Sequence, residues 1–465
     1  MRRPNILLVH SDQHRYDCVG AHGHPLSPTP NLDRLAAQGV SFSHAFTPCP
    51  VCVPARNSFL YGTWATRHGA VSNRHTEAPW PPAPELPTWS EALRDAGYRL
   101  AYVGKWGIHG RPQDFGFESY VPTSDYYTWR AEAGLPPVPR TGWFGGTDPH
   151  ISPEQSRIAW EADRVLERMR DLSRGPEPFL IRWDPAGPHL PNIVPEPYAS
   201  MYPPATIAPW LSFPDPLAGK PYIQAQQRRT WGLDGWTWDD WAPVVARYLG
   251  EITLMDAQIG RVLAELERLG LSEDTLVIYT CDHGDLCGGH GMIDKHHVMY
   301  DDVVRVPLIM RLPRDSRAGS PDPVAGRTCD AFVSHALDLA VTLCEVAQVP
   351  VPETFQGRSL LPLLEGQGEG EREDIFATYH GSQFGLYSSR MVRDRRWKYV
   401  WNATAEDELY ELERDPGEIV NLAGDASSRQ VLERLRHRLL TWMEETEDIL
   451  LNEWTRRQLL EGLTH

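Results

Sequence analysis

The side chains best placed to do chemistry in this chain sit just after short apolar runs. Asp12 follows the run Asn5–His10, and Asp282-His283 follows Thr275–Cys281. Carboxylates carried to two strand ends can meet over one cation, with His283 adding a nitrogen donor. Such an ion draws charge from an oxygen nucleophile and activates it near neutral pH. Two further polar residues obey the same placement: Lys105 after Tyr98–Val103, and His189 beyond Phe179–Trp183. A third feature is Cys52-Val53-Pro54-Ala55-Arg56, where an arginine four residues after a thiol shares its face if the segment is helical. On residue types alone, Cys52 is a nucleophile, half of a Cys-x-x-Cys dithiol with Cys49, or a plain buried thiol. These readings stay open at this point.

The elements that must position these groups are legible in the pattern around them. Short apolar runs, including Val306–Met310, alternate with capped helical segments through the first three quarters of the chain. That is the pattern of an α/β fold with a large, mostly parallel sheet flanked by helices, in which ligands sit at the carboxyl ends of strands. Thr29-Pro30 caps a helix over Asn31–Gln38 that Gly39 stops, and Thr88-Trp89-Ser90-Glu91 is a capping box closed by Gly97. Longer helices are expected at Glu154–Leu172, Trp241–Leu269 and His335–Ala347. From about Gly366 the texture becomes charged and alternating, with strands expected at Arg396–Trp401 and Glu408–Leu412 and a closing helix at Ser427–Glu445. The expected division is a catalytic domain over 1–365 and a smaller C-terminal α+β domain over 366–465.

Composition narrows the function. A net charge of −17 repels nucleic acid and anionic membrane, so neither is expected as a partner and a small substrate is. Seven cysteines without small-domain spacing suggest reduced thiols. The opening apolar stretch turns polar too soon for a secretion signal, so it reads as a first core strand in a cytoplasmic protein. His290, His296 and His297 crowd Cys281 and Cys287 but fit no closed zinc spacing. The tryptophans Trp231, Trp236, Trp238 and Trp241 are better read as packing than as a pocket wall, and His75 and His380 are outlying candidates.

Cys52-Val53-Pro54-Ala55-Arg56, followed by Asn57 to Gly62, resembles the signature of formylglycine-dependent sulfatases. The resemblance extends over nearly the whole chain. It takes in Asn5-Ile6-Leu7 leading to Asp12, Thr29 to Ala36, Gly97-Tyr98 and Gly104-Lys105-Trp106. It continues through Gly187-Pro188-His189, Cys281-Asp282-His283-Gly284, Lys295, Arg305-Val306-Pro307-Leu308 and Asp407 to Leu412. Where the family often has an acidic pair and Asp-Asn, this chain has Asp12-Gln13 and Asp282-His283. That variant is similar to the branch of choline sulfatases and phosphonate monoester hydrolases.

The resemblance implies an alkaline-phosphatase-like fold and hydrolysis of a sulfate ester to alcohol and sulfate through a covalent sulfo-enzyme intermediate. It makes Cys52 the nucleophile, oxidised to formylglycine by a formylglycine-generating enzyme. An unmodified thiolate would form a stable adduct with sulfate, whereas an aldehyde hydrate attacks through one hydroxyl and expels the product through the other. Arg56 would hold the hydrate, Lys105, His189 and Lys295 would ring the transferred group, and Lys295 with His189 would assist the leaving group. His109 is the nearest histidine to a family position that is Gly107 here. Asp12, Asp282, His283 and modified Cys52 are the expected ligands of one divalent ion. Nitrogen from His283 and the neutral Gln13 favour manganese over calcium. Alternatives are a phosphonate monoester or phosphodiester hydrolase using the same site on a phosphorylated substrate, and a non-catalytic binding protein with unmodified Cys52. A homo-oligomer is left open.

Overall fold

The computed structural model describes residues 3–73, 85–313, 325–367 and 372–462. In chain order its strands are β1 (Asn5–Ser11), β2 (Val40–Phe46), β3 (Arg99–Gly104), β4 (Ser119–Pro122), β5 (Gly146–Thr147), β6 (Phe179–Asp184) and β7 (Ile193–Val194). Then come β8 (Thr275–Cys281), β9 (Leu308–Arg311), β10 (Arg327–Ser334), β11 (Ile375–Gly381), β12 (Tyr387–Arg393), β13 (Trp397–Asn402) and β14 (Glu408–Glu411). Eight of them form one sheet in the order β10-β2-β9-β8-β1-β6-β3-β4. Within it β9 alone runs antiparallel to its neighbours β2 and β8. A short parallel pair, β5 and β7, stands apart, and β11 to β14 make an antiparallel sheet toward the C-terminus. This is the large mostly parallel sheet with a smaller C-terminal layer that the sequence implies.

Alternation along β1 explains the two helical layers, because successive side chains leave a strand on opposite faces. Ile6 and Leu8 enter a core with Phe59 and Leu60 of the helix Cys52–Tyr61 and with Leu339 and Leu343 of the helix His335–Val346. Leu7 and Val9 enter the opposite core, with Leu35 of the helix Pro30–Gln38, Met169 of Arg157–Leu172 and Ile259 of Trp238–Arg268. Both faces of β1 are therefore dry, as a central parallel strand requires. Two helix starts differ from the sequence reading for local reasons. Ser156 Oγ accepts from Ala159 N at 3.2 Å, so a 3-10 turn over Pro153–Gln155 ends there and the helix begins at Arg157. The long helix starts earlier, at Trp238, because Thr237 and Asp240 form a reciprocal capping box. Among the described residues no helix is long and apolar enough to cross a membrane.

Strand register brings the site together. β1 pairs with β8 from Asn5↔Thr275 to Ser11↔Cys281, so the next residues, Asp12 and Asp282, leave the sheet side by side. β3 pairs with β6 up to Gly104↔Asp184, and Lys105 N then donates to Asp184 O at 2.9 Å. Gly104 has φ of 109°, and a Cβ there would lie 2.1 Å from Asp184 O. Gly104→Ala should therefore push β3 off β6, lowering both the thermal midpoint and turnover. Gly270→Ala is the control: φ is 69° with nothing within 4 Å of the added carbon. It should cost only the ~1 kcal/mol of a left-handed alanine. Equal losses in the two variants, followed by circular dichroism, would show that the close approach at Gly104 is unimportant.

Candidate active site

Asp12 and Asp282 are fully buried. Two carboxylates removed from water and set side by side repel each other and lose hydration, so the fold must supply positive charge. Arg56 supplies it from one turn inside the helix Cys52–Tyr61, with Nη2 3.0 Å from both Asp12 Oδ2 and Asp282 Oδ2. Its Nη1 lies 2.5 Å from Asp184 Oδ2 at the end of β6. Asp184 also receives Arg182 Nε and Nη2, each at 2.8 Å, and sits 3.2 Å from His10 Nδ1. Burial works to raise the Asp12 carboxyl, but Lys105, Arg56 and Lys295 hold it well below the usual carboxylate range.

Cys52 is the first residue of its helix and is 3% exposed. Its Sγ lies 3.1 Å from His283 Nε2 and 3.7 Å from Asp12 Oδ1. One donor atom from each of Asp12, Cys52, Asp282 and His283 falls within 4.8 Å of the others, all buried. His283 Nδ1 lies 2.9 Å from Gly284 O. That bond fixes Nδ1–H and turns Nε2 into the cluster, as a metal-binding histidine requires. Asp282 Oδ2 has no hydrogen-bond partner, only its ion-pair contact with Arg56. Two carboxylates, an aimed imidazole nitrogen and the side chain at position 52 fit a single divalent cation. The cluster's appetite for positive charge shows at His283. Burial opposes its protonation, yet Asp282 and Cys52 push it up to about 9.

The dithiol reading of Cys49 and Cys52 loses its basis. Both are free thiols in unlike surroundings. Burial and Asp12 work to raise the Cys52 thiol, and Lys105, Lys295 and His283 outweigh them and hold it well below the usual range. At Cys49 burial prevails over the field of Arg390 and the thiol is pushed up. Cys52 is the thiol that sits in an electropositive setting.

Cations border the cluster. Lys105 Nζ contacts Asp12 Oδ2. Lys295 Nζ lies 2.7 Å from Gln13 Oε1, 2.8 Å from His189 Nε2 and 3.2 Å from Asp294 Oδ1. His189 Nδ1 is 2.6 Å from Leu190 O, so that nitrogen carries the proton and Nε2 accepts from the Lys295 ammonium. Gln13 is held by Asp285 and Asp294, to which its Nε2 donates at 2.6 and 3.1 Å. Its Oε1 is thereby aimed at Lys295. Asp184, Asp285 and Asp294 escaped sequence reasoning. Asp184 carried a usable signal, since it ends β6 as Cys281 ends β8, whereas Asp285 and Asp294 belong to a loop with no periodicity to read.

Other candidates lie elsewhere. The His109 ring stacks on Tyr61 at 6.4 Å and meets Phe115 edge-on at 5.6 Å, toward the far end of the Cys52 helix. His380 bonds Ser388 Oγ at 2.6 Å in the C-terminal sheet, and His75 falls outside the described residues. His290 pairs with Asp215 at 2.6 Å and His296 with Asp294 at 3.2 Å, while His297 packs against Phe384. Among the described residues these groups form no metal cluster. Trp231, Trp236, Trp238 and Trp241 pack in one apolar cluster with Phe144 and Phe213, as the packing reading expects.

The chain is similar over nearly its whole length to known proteins. The family model described as Sulfatase matches residues 4–349, and that described as N-sulphoglucosamine sulphohydrolase, C-terminal, matches 288–445. The chain is 30% identical to the uncharacterized sulfatase YidJ of Escherichia coli, covering 96% of this chain and 88% of that protein. It is also 30% identical to the multifunctional alkaline phosphatase superfamily protein PehA of Trinickia caryophylli, covering 100% and 99%. The crystal structure of the phosphonate monoester hydrolase of Agrobacterium radiobacter superposes with a TM-score of 0.82 at 26% identity, covering 97% of this chain and 99% of that one.

Arg56 is the test of the electrostatic account. Arg56→Ala leaves three buried carboxylates short of a partner and should cost ~3–5 kcal/mol of stability. Arg56→Lys keeps the charge without the two-pronged geometry and should fall between alanine and wild type. Thermal unfolding checks this; a midpoint unchanged in Arg56→Ala would mean that the carboxylates are neutralised by something else.

Proposed function

The chain belongs to the sulfatase family of sulfuric ester hydrolases, and from that premise we propose that it cleaves a small sulfate ester at position 52, matured to formylglycine, beside one divalent cation. The observation that carries this reading is the convergence of Cys52 with Asp12, Asp282 and His283 under the cations Lys105 and Lys295. Hydrated formylglycine would supply one hydroxyl to attack sulfur and a second to expel the product. Asp12, Asp282, His283 and the side chain at 52 would hold the cation, which would lower the pKa of the attacking hydroxyl.

The chain's own residues account for the remainder. Arg56 keeps Asp12 and Asp282 ionised and fixed beside position 52. Lys105 and Lys295 attract and orient the tetrahedral anion. Lys295 holds an ammonium proton on His189 Nε2, so the pair can pass a proton to the departing oxygen. His109, whose ring lies beside Tyr61 and Phe115, is assigned no step in this scheme.

The likeness to PehA and to a phosphonate monoester hydrolase favours a second reading, in which phosphonate monoesters or phosphodiesters use the same site. Tetrahedral phosphorus carries the same charge pattern to the same cations. A chromogenic aryl sulfate compared with a matched phosphodiester ranks the two.

Intact mass of the Cys52 peptide should show aldehyde in place of thiol in protein made together with a formylglycine-generating enzyme. Cys52→Ala and Cys52→Ser should each lose turnover by several orders of magnitude with the fold intact, because serine lacks the second oxygen needed for release. Multiple turnover by either variant at the wild-type rate would sink the formylglycine mechanism.

Metal preference follows from the ligands. His283 supplies nitrogen, and Gln13 stands where the family often has a carboxylate, so manganese should restore chelated enzyme better than calcium. His283→Asn should shift the preference toward calcium. One equivalent of calcium in the purified enzyme, with calcium alone restoring activity, would overturn this assignment.

A further inference from the structure

A cavity of about 280 Å³ meets the active site at Lys105 and His189. One part of its wall is apolar, with Ile151, Ile158, Leu190, Ile193 and Leu254, and the rest is charged, with Arg130, Asp148, Arg157 and Glu251. The volume is roughly twice that of a protein cavity known to hold benzene, about 150 Å³. It therefore accommodates one ring or a short chain.

One cation in the wall has donors to spare. Arg157 is the first residue of its helix, behind the cap Ser156, so the unpaired backbone N–H groups of the first turn add positive potential there. Its Nη2 makes one long contact, 3.3 Å, with Glu251 Oε1, its side chain also bonds Tyr127, and its Nε is buried without a hydrogen-bond partner among the described residues. The carboxylates in its field, Glu251 first, favour its charge, but each is shared with other donors. Glu251 is shared with Asn192 Nδ2 at 2.8 Å, and Glu161 takes Thr123 Oγ1 at 2.8 Å and Trp183 Nε1 at 3.3 Å. Burial raises Glu251 from its ordinary value and pushes Glu161 up to about 7. By contrast, Arg130 across the cavity is closed off by Asp148, with contacts of 2.6 and 3.3 Å.

We propose that this cavity holds the alcohol part of the substrate, and that Arg157 selects esters whose single-ring or short-chain body carries a second anionic group, such as a carboxylate. The substrate class is then a dianion: sulfate at position 52, an apolar spacer along the cavity, and an acid on the guanidinium. This rests on the sulfatase reading above for the identity of the first anion, and Arg157 acts as a specificity-determining residue.

The test uses 3- and 4-(sulfooxy)benzoate against their methyl esters on matured, metal-loaded enzyme. The methyl esters have the better leaving groups, so intrinsic reactivity opposes the expectation. Wild type should prefer the better-fitting carboxylate by about tenfold in kcat/KM, and Arg157→Ala should bring that ratio to about one. Arg157→Lys should restore part of it. A wild-type ratio near one, or a preference that survives in Arg157→Ala, overturns the proposal while leaving the sulfatase reading intact. Binding of 3- and 4-hydroxybenzoate by calorimetry supplies a readout independent of turnover. Affinity should fall about tenfold in Arg157→Ala, and no change in either compound's affinity also overturns the proposal. If no ester is turned over while Arg157-dependent binding persists, the sulfatase reading fails and the cavity assignment stands.

Discussion

Burying carboxylates at the ends of parallel strands is the constraint on which the rest of this structure depends. Asp12, Asp184 and Asp282 lie fully inside the protein, where an unpaired charge costs several kcal/mol. The Arg56 guanidinium touches all three, which ties the helix Cys52–Tyr61 to the ends of β1, β6 and β8 at once. Position 52 is thereby fixed relative to the sheet by its own helix turn. Arg182 and His10 complete the shell around Asp184, so the ionic layer is backed by further ionic and aromatic contacts before the apolar core begins.

The loop that carries Lys295 depends on a second buried charge set. Lys398 of β13 reaches across to Met299 O at 2.8 Å and Asp301 Oδ1 at 2.6 Å, and to Glu418 Oε1 at 2.6 Å. Lys220 sits nearby between Asp215, Tyr300 and Glu418. The C-terminal sheet therefore grips the loop a few residues from Lys295. The second family match begins at residue 288, inside this loop, well ahead of the change in sequence texture near Gly366.

What could be read from sequence divides along the same line. Apolar runs with dry faces, such as Asn5–His10 and Thr275–Cys281, announced β1 and β8, and the polar residues after them marked the site. β2 and β12 were not anticipated, because burial there includes groups that periodicity counts as polar. Arg390 of β12 is 1% exposed and pairs with Asp448 at 2.6 and 2.9 Å, a partner remote in sequence. Arg393 lies over the Phe46 ring at 4.8 Å. Hydrophobic pattern reports single-residue preference, whereas these strands are buried as pairs. The site shows the same divide: Asp12, Asp282 and Lys105 followed from strand ends, while the contacts of Gln13 with Asp285 and Asp294 exist only through the folded loop.

Charge is arranged by side as well as by amount. The chain is strongly acidic as a whole, with a net charge of −17, which opposes the approach of an anionic substrate. That long-range field is screened within about 8–10 Å at physiological salt, so cations inside a partly closed site decide what binds. Asp12, Asp282 and His283 face position 52 from the sheet, while Lys105, Lys295 and His189 border it toward the cavity. Neither set could be buried alone. The carboxylates hold the lysines charged, raising Lys295 above its ordinary value despite burial, and the lysines in turn keep Asp12 ionised. An anion entering from the cavity meets the cationic side first. The carboxylates that would repel it are already engaged by Arg56 behind them, so the arrangement that makes the buried charges tolerable also gives the site its direction.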